Sequence, residues 1–99
     1  MRQPSVFLLV KFKSPLSLEE VMSVVNSRID EFRLLKGLQQ KYYLQDTTTQ
    51  EYAGLYLWES REELLAFRES ELRSTIAKAY QTEGEARIEV FSVLKTLRE

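Results

Sequence analysis

Near the start of the chain, apolar positions change from a spacing of two to a spacing of three and four. Val6 to Lys13 puts Val6, Leu8, Val10 and Phe12 on one face and Phe7, Leu9, Lys11 and Lys13 on the other, which predicts a strand buried on most of both faces. Ser14-Pro15 breaks it. Ser17 followed by Glu20 is a capping box that opens a helix. Leu18, Val21, Met22, Val25, Ile29 and Phe32 then fall within an arc of about 100°. The back of that helix is charged through Arg28, Asp30, Glu31 and Arg33, and Gly37 ends the helical region.

Leu38 to Asp46 reads as a second strand. Thr47, Thr48, Thr49 and Gln50 make a polar connection of hairpin length, and Glu51 to Trp58 alternates as a third strand rich in aromatics. A hairpin symmetric about that connection sets Gln39 opposite Trp58, Lys41 opposite Tyr56 and Tyr43 opposite Gly54, where a ring would cover the missing side chain. Lys41, Tyr43, Tyr52, Tyr56 and Trp58 then share one face. Leu38, Tyr42, Leu44, Ala53, Leu55 and Leu57 share the other, which is more aliphatic and reads as the better seat for helices.

Ser60 followed by Glu63 is a second capping box, opening a helix through Tyr80 with a bend expected near Ser70. Gly84 is read as its stop, and Arg87 to Lys95 as a last alternating strand. The order strand, helix, strand, strand, helix, strand predicts a single α+β domain over residues 1–99. Its fold is ferredoxin-like βαββαβ, a four-stranded antiparallel sheet with two helices on one face. The other face is left bare. On this reading Tyr43, Tyr56 and Trp58, beside Phe7 and Leu9, form a patch larger than a monomer ordinarily exposes, so a homodimer packed sheet on sheet is expected.

Composition narrows the chemistry more than the fold. The 99 residues hold no Cys and no His, which removes thiol nucleophiles, disulfides, imidazole bases, proximal haem ligands and most zinc sites. Any reaction must use carboxylates, Lys, Arg, Tyr, Trp, hydroxyls, a bound group or the substrate itself. Fourteen Lys and Arg against fifteen Asp and Glu leave a net charge of −1, so no global field draws the chain to nucleic acid or an anionic membrane. The apolar stretch at the start is interrupted by Lys11 and has no small-residue cleavage site, which reads as a strand in a cytoplasmic protein.

Two resemblances bear on function. RNA-recognition domains share the element order, and Glu51 to Trp58 loosely resembles their aromatic third-strand motif. Glu51 stands where that motif needs a basic residue, so no nucleic-acid partner is expected. From Gly37 onward the chain is similar to YdhR-type monooxygenases, within the dimeric α+β barrel superfamily that includes antibiotic-biosynthesis monooxygenases. The similarity rests on Gly37 to Asp46, Ala53 to Ser60 with the acidic helix start after it, and Ile88 to Val93. It departs from the family at Ala53, where a second glycine is usual, and at Ser70, where Pro is common.

The resemblance implies a homodimer that inserts oxygen into a small aromatic or phenolic compound without cofactor or metal; a non-catalytic small-molecule-binding barrel is the alternative. In such chemistry Lys41 would stabilise a substrate anion and Tyr43 and Tyr56 would donate hydrogen bonds. Trp58 would stack on a ring, with Phe67 and Arg68 near the substrate. Each also has a structural reading. Lys41 is a strand lysine lying over Tyr56, and Tyr43, Tyr56 and Trp58 are dimer core with bonded polar tips. Arg68 and Glu89 pair as ions, Arg61 and Glu63 are solvated or capping residues, and Asp46 fixes the hairpin turn.

Overall fold

In a computed structural model describing residues 3–98, four strands pair antiparallel in the order β2-β3-β1-β4. They are β1 (Val6–Lys13), β2 (Leu38–Gln45), β3 (Tyr52–Trp58) and β4 (Glu83–Ser92). Helix α1 (Leu18–Arg33) joins β1 to β2, and α2 (Arg61–Arg68), α3 (Glu71–Ser74) and α4 (Ile76–Tyr80) join β3 to β4. The sheet order puts β1 and β3 in the centre, so the α+β ferredoxin-like architecture expected from the element order is the one observed. No described helix is long and apolar enough to cross a membrane.

Local chemistry explains the element ends. Ser17 and Glu20 close the full capping box at α1, with bonds of 3.1 and 2.9 Å to each other's backbone N–H. At α2 only half a box forms. Ser60 Oγ accepts from Glu63 N at 3.4 Å, but the Glu63 side chain lies against Gly37, where an added Cβ would sit 1.6 Å from Oε2. Gly37, at φ +81°, therefore serves both the turn into β2 and the space for that carboxylate. The helical stretch does bend at Ser70, whose hydroxyl caps α3 by accepting from Arg73 N.

The helical stretch ends at Tyr80, as read from the sequence, but Gln81 in the left-handed cap conformation stops it and Gly84 does not. Gly84, at φ +72°, lies inside β4, where pairing with β1 slips between Lys11↔Arg87 and Lys13↔Glu83. The last strand consequently begins at Glu83 and ends at Ser92, a few residues earlier than its alternation suggests. A positive-φ glycine reads as a helix stop from sequence and works here as a strand irregularity.

The hairpin register agrees at Lys41↔Tyr56 and Tyr43↔Gly54 but slips by one at its base, where Leu38 rather than Gln39 faces Trp58. The assignment of faces is reversed. Tyr52, Tyr56 and Trp58 are buried beneath the helices, and Leu55, Leu57 and Tyr42 lie on the open side. Phe32 of α1 and Phe67 of α2 both pack on Tyr56, with ring centroids 6.1 and 5.1 Å away, so both helical layers cover this face.

The reason lies in the other pairings. Antiparallel neighbours share faces, so Val6↔Trp58 and Leu8↔Tyr56 tie the aromatics to the all-apolar side of β1. Phe7 and Leu9 sit on the opposite side with Lys11, joined there by Arg87 and Glu89 of β4. Over the whole sheet that side holds most of the charge and stays outward. The hairpin alone, judged by how aliphatic each face is, points the wrong way.

Candidate active site in the groove between α1 and β2

Because β2 is an edge strand, its inward side chains meet α1 with no further strand beyond them. A cavity of about 110 Å³ lies there, walled by Val10, Phe12, Val21, Val25, Ile76 and Tyr80 deep inside and by Lys41, Tyr43 and Tyr56 along the sheet. Leu18 and Met22 of α1, 55% and 43% exposed, stand at its mouth, so their exposure marks an opening rather than a packing fault. A second hollow of about 280 Å³, lined by Ile29, Phe32, Arg33, Gln39 and Gln40, also reaches Lys41 and Tyr43. The two spaces share these side chains, which makes Lys41 the midpoint of one groove.

The Lys41 side chain runs under a cage of rings. Its Nζ is 3.4 Å from the Phe32 centroid and 4.4 Å from those of Tyr43 and Tyr56. The stem passes Gly54, where an added Cβ would come within 3.2 Å of Lys41 Cε and 3.0 Å of the Tyr56 ring. The ring covering Gly54 is thus Tyr56, not the directly opposite Tyr43. No carboxylate among the described residues pairs with Lys41. Burial, and then repulsion from Arg28, brings the amine down from the ordinary lysine value to about 7.

Arg28 is held by the Thr75 hydroxyl at 2.6 Å and by the carbonyls of Leu72 and Thr75, which fixes its charge at the α1–α3 junction. Sequence reasoning placed Arg28 on the charged back of the helix. Its effect on Lys41 depends on how α3 packs, so no local signal could have found it.

The tyrosines are kept neutral. Burial raises the Tyr43 and Tyr56 hydroxyls above their ordinary value and pushes Tyr80 up to about 12. No described residue hydrogen-bonds to any of these three hydroxyls, whereas Tyr52 donates to the Leu16 carbonyl at 3.3 Å. The groove thus offers one weakly basic amine and phenol donors against apolar walls. That set can take a proton, stabilise an anion and orient a small flat molecule.

Of the sequence-derived candidates, Lys41, Tyr43 and Tyr56 come together in this groove. Trp58 and Phe67 do not line it. They pack with each other at 5.4 Å, and Trp58 stacks on Tyr56 at 6.3 Å, behind the wall. The Trp58 indole N–H is buried without an acceptor among the described residues. Arg68 and Glu89 are exposed on opposite layers and form no ion pair with each other, because one belongs to a helix and the other to the outer face of β4. Tyr80, Phe12 and Val10 joined the site through tertiary packing; β1 supplied a hint, since its all-apolar face had to meet something.

At the hairpin tip, Asp46 accepts from Thr48 N at 2.8 Å and Thr49 N at 3.1 Å, the turn role expected of it. It also pairs with Lys11. Arg87 bonds Glu51 at 3.0 Å, and Lys11 lies 3.9 Å from the same carboxylate. Burial alone would raise the Glu51 carboxyl; Thr49, Arg87 and Lys11 outweigh it and hold it below its ordinary value.

The chain matches no family model and no curated protein. It is similar to solved structures. SnoaB, a cofactor-independent oxygenase from Streptomyces nogalater, aligns with a TM-score of 0.74 and 16% identity over 97% of this chain and 99% of that one. A candidate antibiotic biosynthesis monooxygenase from Caulobacter crescentus aligns with a TM-score of 0.74 and 16% identity, covering 94% and 92%. Rv0793 from Mycobacterium tuberculosis gives 0.72 and 16%, covering 94% and 98%. At such identities the shared property is the fold.

Proposed function

We propose that this chain is a cofactor-independent monooxygenase of the YdhR-like type, acting on a small aromatic or phenolic compound in the α1–β2 groove. The observation carrying this reading is the Lys41 amine, without a carboxylate partner among the described residues and caged by aromatic rings at the edge of an apolar cavity. In such a reaction the substrate supplies the electrons. Lys41, with a value of about 7, takes a proton from an activated ring position, and the resulting ammonium holds the anion. The carbanion passes its electrons to dioxygen. One oxygen atom stays on the carbon as a ketone and the other leaves as water, so a methylene plus O2 gives a carbonyl plus H2O. Tyr43 and Tyr56 donate to the substrate oxygen, and the apolar walls exclude water from the peroxide stage.

The same proposal includes a cytoplasmic homodimer formed through the open sheet face. That face carries Phe7, Leu9, Leu55 and Leu57 half-buried, with Tyr42, Leu44 and Phe91 between 43 and 50% exposed. The expected partners are a second copy and a small molecule. Oxygen uptake with a panel of polyphenols, quinols and anthrones tests the reaction. Uptake that Lys41→Met abolishes supports it. Saturable binding without uptake would replace it with a non-catalytic binding protein.

A further inference from the structure

Lys41 differs from every other lysine of the chain. Lys11 is engaged by Asp46 and Glu51, and Lys13, Lys36, Lys78 and Lys95 are exposed. Lys41 alone combines partial burial, ring contacts on three sides and the absence of a carboxylate among the described residues. It also borders open space on two sides, the apolar cavity and the polar hollow beside Gln39 and Gln40. A primary amine held in apolar surroundings with room beside it is equipped for nucleophilic as well as acid–base chemistry.

We propose that Lys41 Nζ is a covalent capture site for small aldehydes, which condense with it in the α1–β2 groove to form an imine. The nitrogen lone pair attacks the carbonyl carbon, and the carbonyl π electrons move to oxygen. A proton passes from nitrogen to that oxygen to give a carbinolamine. Loss of the hydroxyl with a proton as water leaves a carbon–nitrogen double bond. Amine plus aldehyde gives imine plus water, with no oxidant or reductant. The Tyr43 and Tyr56 hydroxyls, which no described residue engages, are the donors on the same walls for the oxygen as its charge develops.

The surroundings favour this reaction at neutral pH. Arg28 of α1 bears on both the amine and Tyr43 and opposes a positive charge on the amine, while Arg33 bears on Tyr43. From the sheet, Tyr43 and Tyr56 face it as neutral groups. A large share of Lys41 is therefore unprotonated near pH 7, where an exposed lysine is almost wholly ammonium. Walls of Phe, Val and Ile fit a planar or short-chain aldehyde better than a sugar. This capture does not depend on the oxygenase reading, because it needs neither dioxygen nor an activated ring.

Borohydride-type trapping tests it. The intact protein is incubated with benzaldehyde and cyanoborohydride at pH 7, digested, and mapped by mass spectrometry. Labelling of Lys41 is expected to exceed that of each exposed lysine at least about tenfold. The preference should vanish in urea. The Lys41→Met variant, which fills similar space without an amine, should melt no lower than the parent and lose the dominant adduct. Labelling spread evenly over Lys13, Lys36, Lys78 and Lys95, or a Lys41 preference that survives unfolding, would overturn the proposal. Absence of oxygen uptake alongside selective labelling would remove the oxygenase reading and leave this one standing.

Discussion

At the scale of single residues, Lys41 concentrates the interest of this protein, since one side chain is asked to be both buried and ionisable. Because the folded chain disfavours its ammonium, protonation opposes folding. That cost is fully present below pH 7, where folded and unfolded chains both hold the proton. It is relieved as pH rises toward the ordinary value of 10.5, a window in which the unfolded chain binds more protons. Replacing Lys41 with Met should therefore stabilise the protein by about 2 to 3 kcal/mol at pH 6, allowing for solvent screening and for the attraction to the three rings that the amine gives up. The gain should shrink steadily toward pH 10. Denaturant melts of the two proteins across that range check this, and a difference independent of pH would mean the amine is solvated. Lys41, Tyr43 and Tyr56 were legible in the sequence as a group because strand alternation puts them on one face. Tyr80 and Arg28 were not, since they arrive on elements whose placement the hairpin does not determine.

Among the elements, the two serine-led helix starts look alike in sequence and behave differently. Ser17 and Glu20 satisfy each other, whereas Glu63 leaves Ser60 with a single long bond and buries its own oxygen over Gly37. Ser17→Ala is expected to cost about 1 kcal/mol, lowering the melting temperature by roughly 4 to 8 °C. Ser60→Ala should cost less. Thermal unfolding of the two variants side by side measures the contrast, and equal losses would show that both caps work alike. The break of the second helical stretch at Ser70 was readable, as the apolar positions drift there. Its end at Tyr80 was readable too, but the role of Gly84 was not: that glycine carries the same signal whether it stops a helix or kinks a strand, and only pairing with β1 separates the two.

For the whole molecule, the reversed sheet moves the dimer argument onto different residues. The open surface now consists of Phe7, Leu9, Leu55 and Leu57 with Tyr42 and Phe91, ringed at one end by Lys11, Glu51 and Arg87. Leu55→Asp should convert a dimer to a monomer in size-exclusion chromatography with light scattering. Phe91→Asp, on a more exposed side chain, should do the same without disturbing the fold. A wild-type chain that is already monomeric at micromolar concentration would refute the dimer. The sequence by itself determined the order of elements, most of their boundaries and the register of most of the β2–β3 hairpin, because caps, turns and alternation act over a few residues. Only the tertiary structure decided which face of that hairpin is inside. Face choice is a sum over all four strands, and the charges of β1 and β4, distant in sequence, outweigh the aliphatic character of β2 and β3. That one decision turns Lys41, Tyr43 and Tyr56 from an outer patch awaiting a second subunit into the wall of an internal groove.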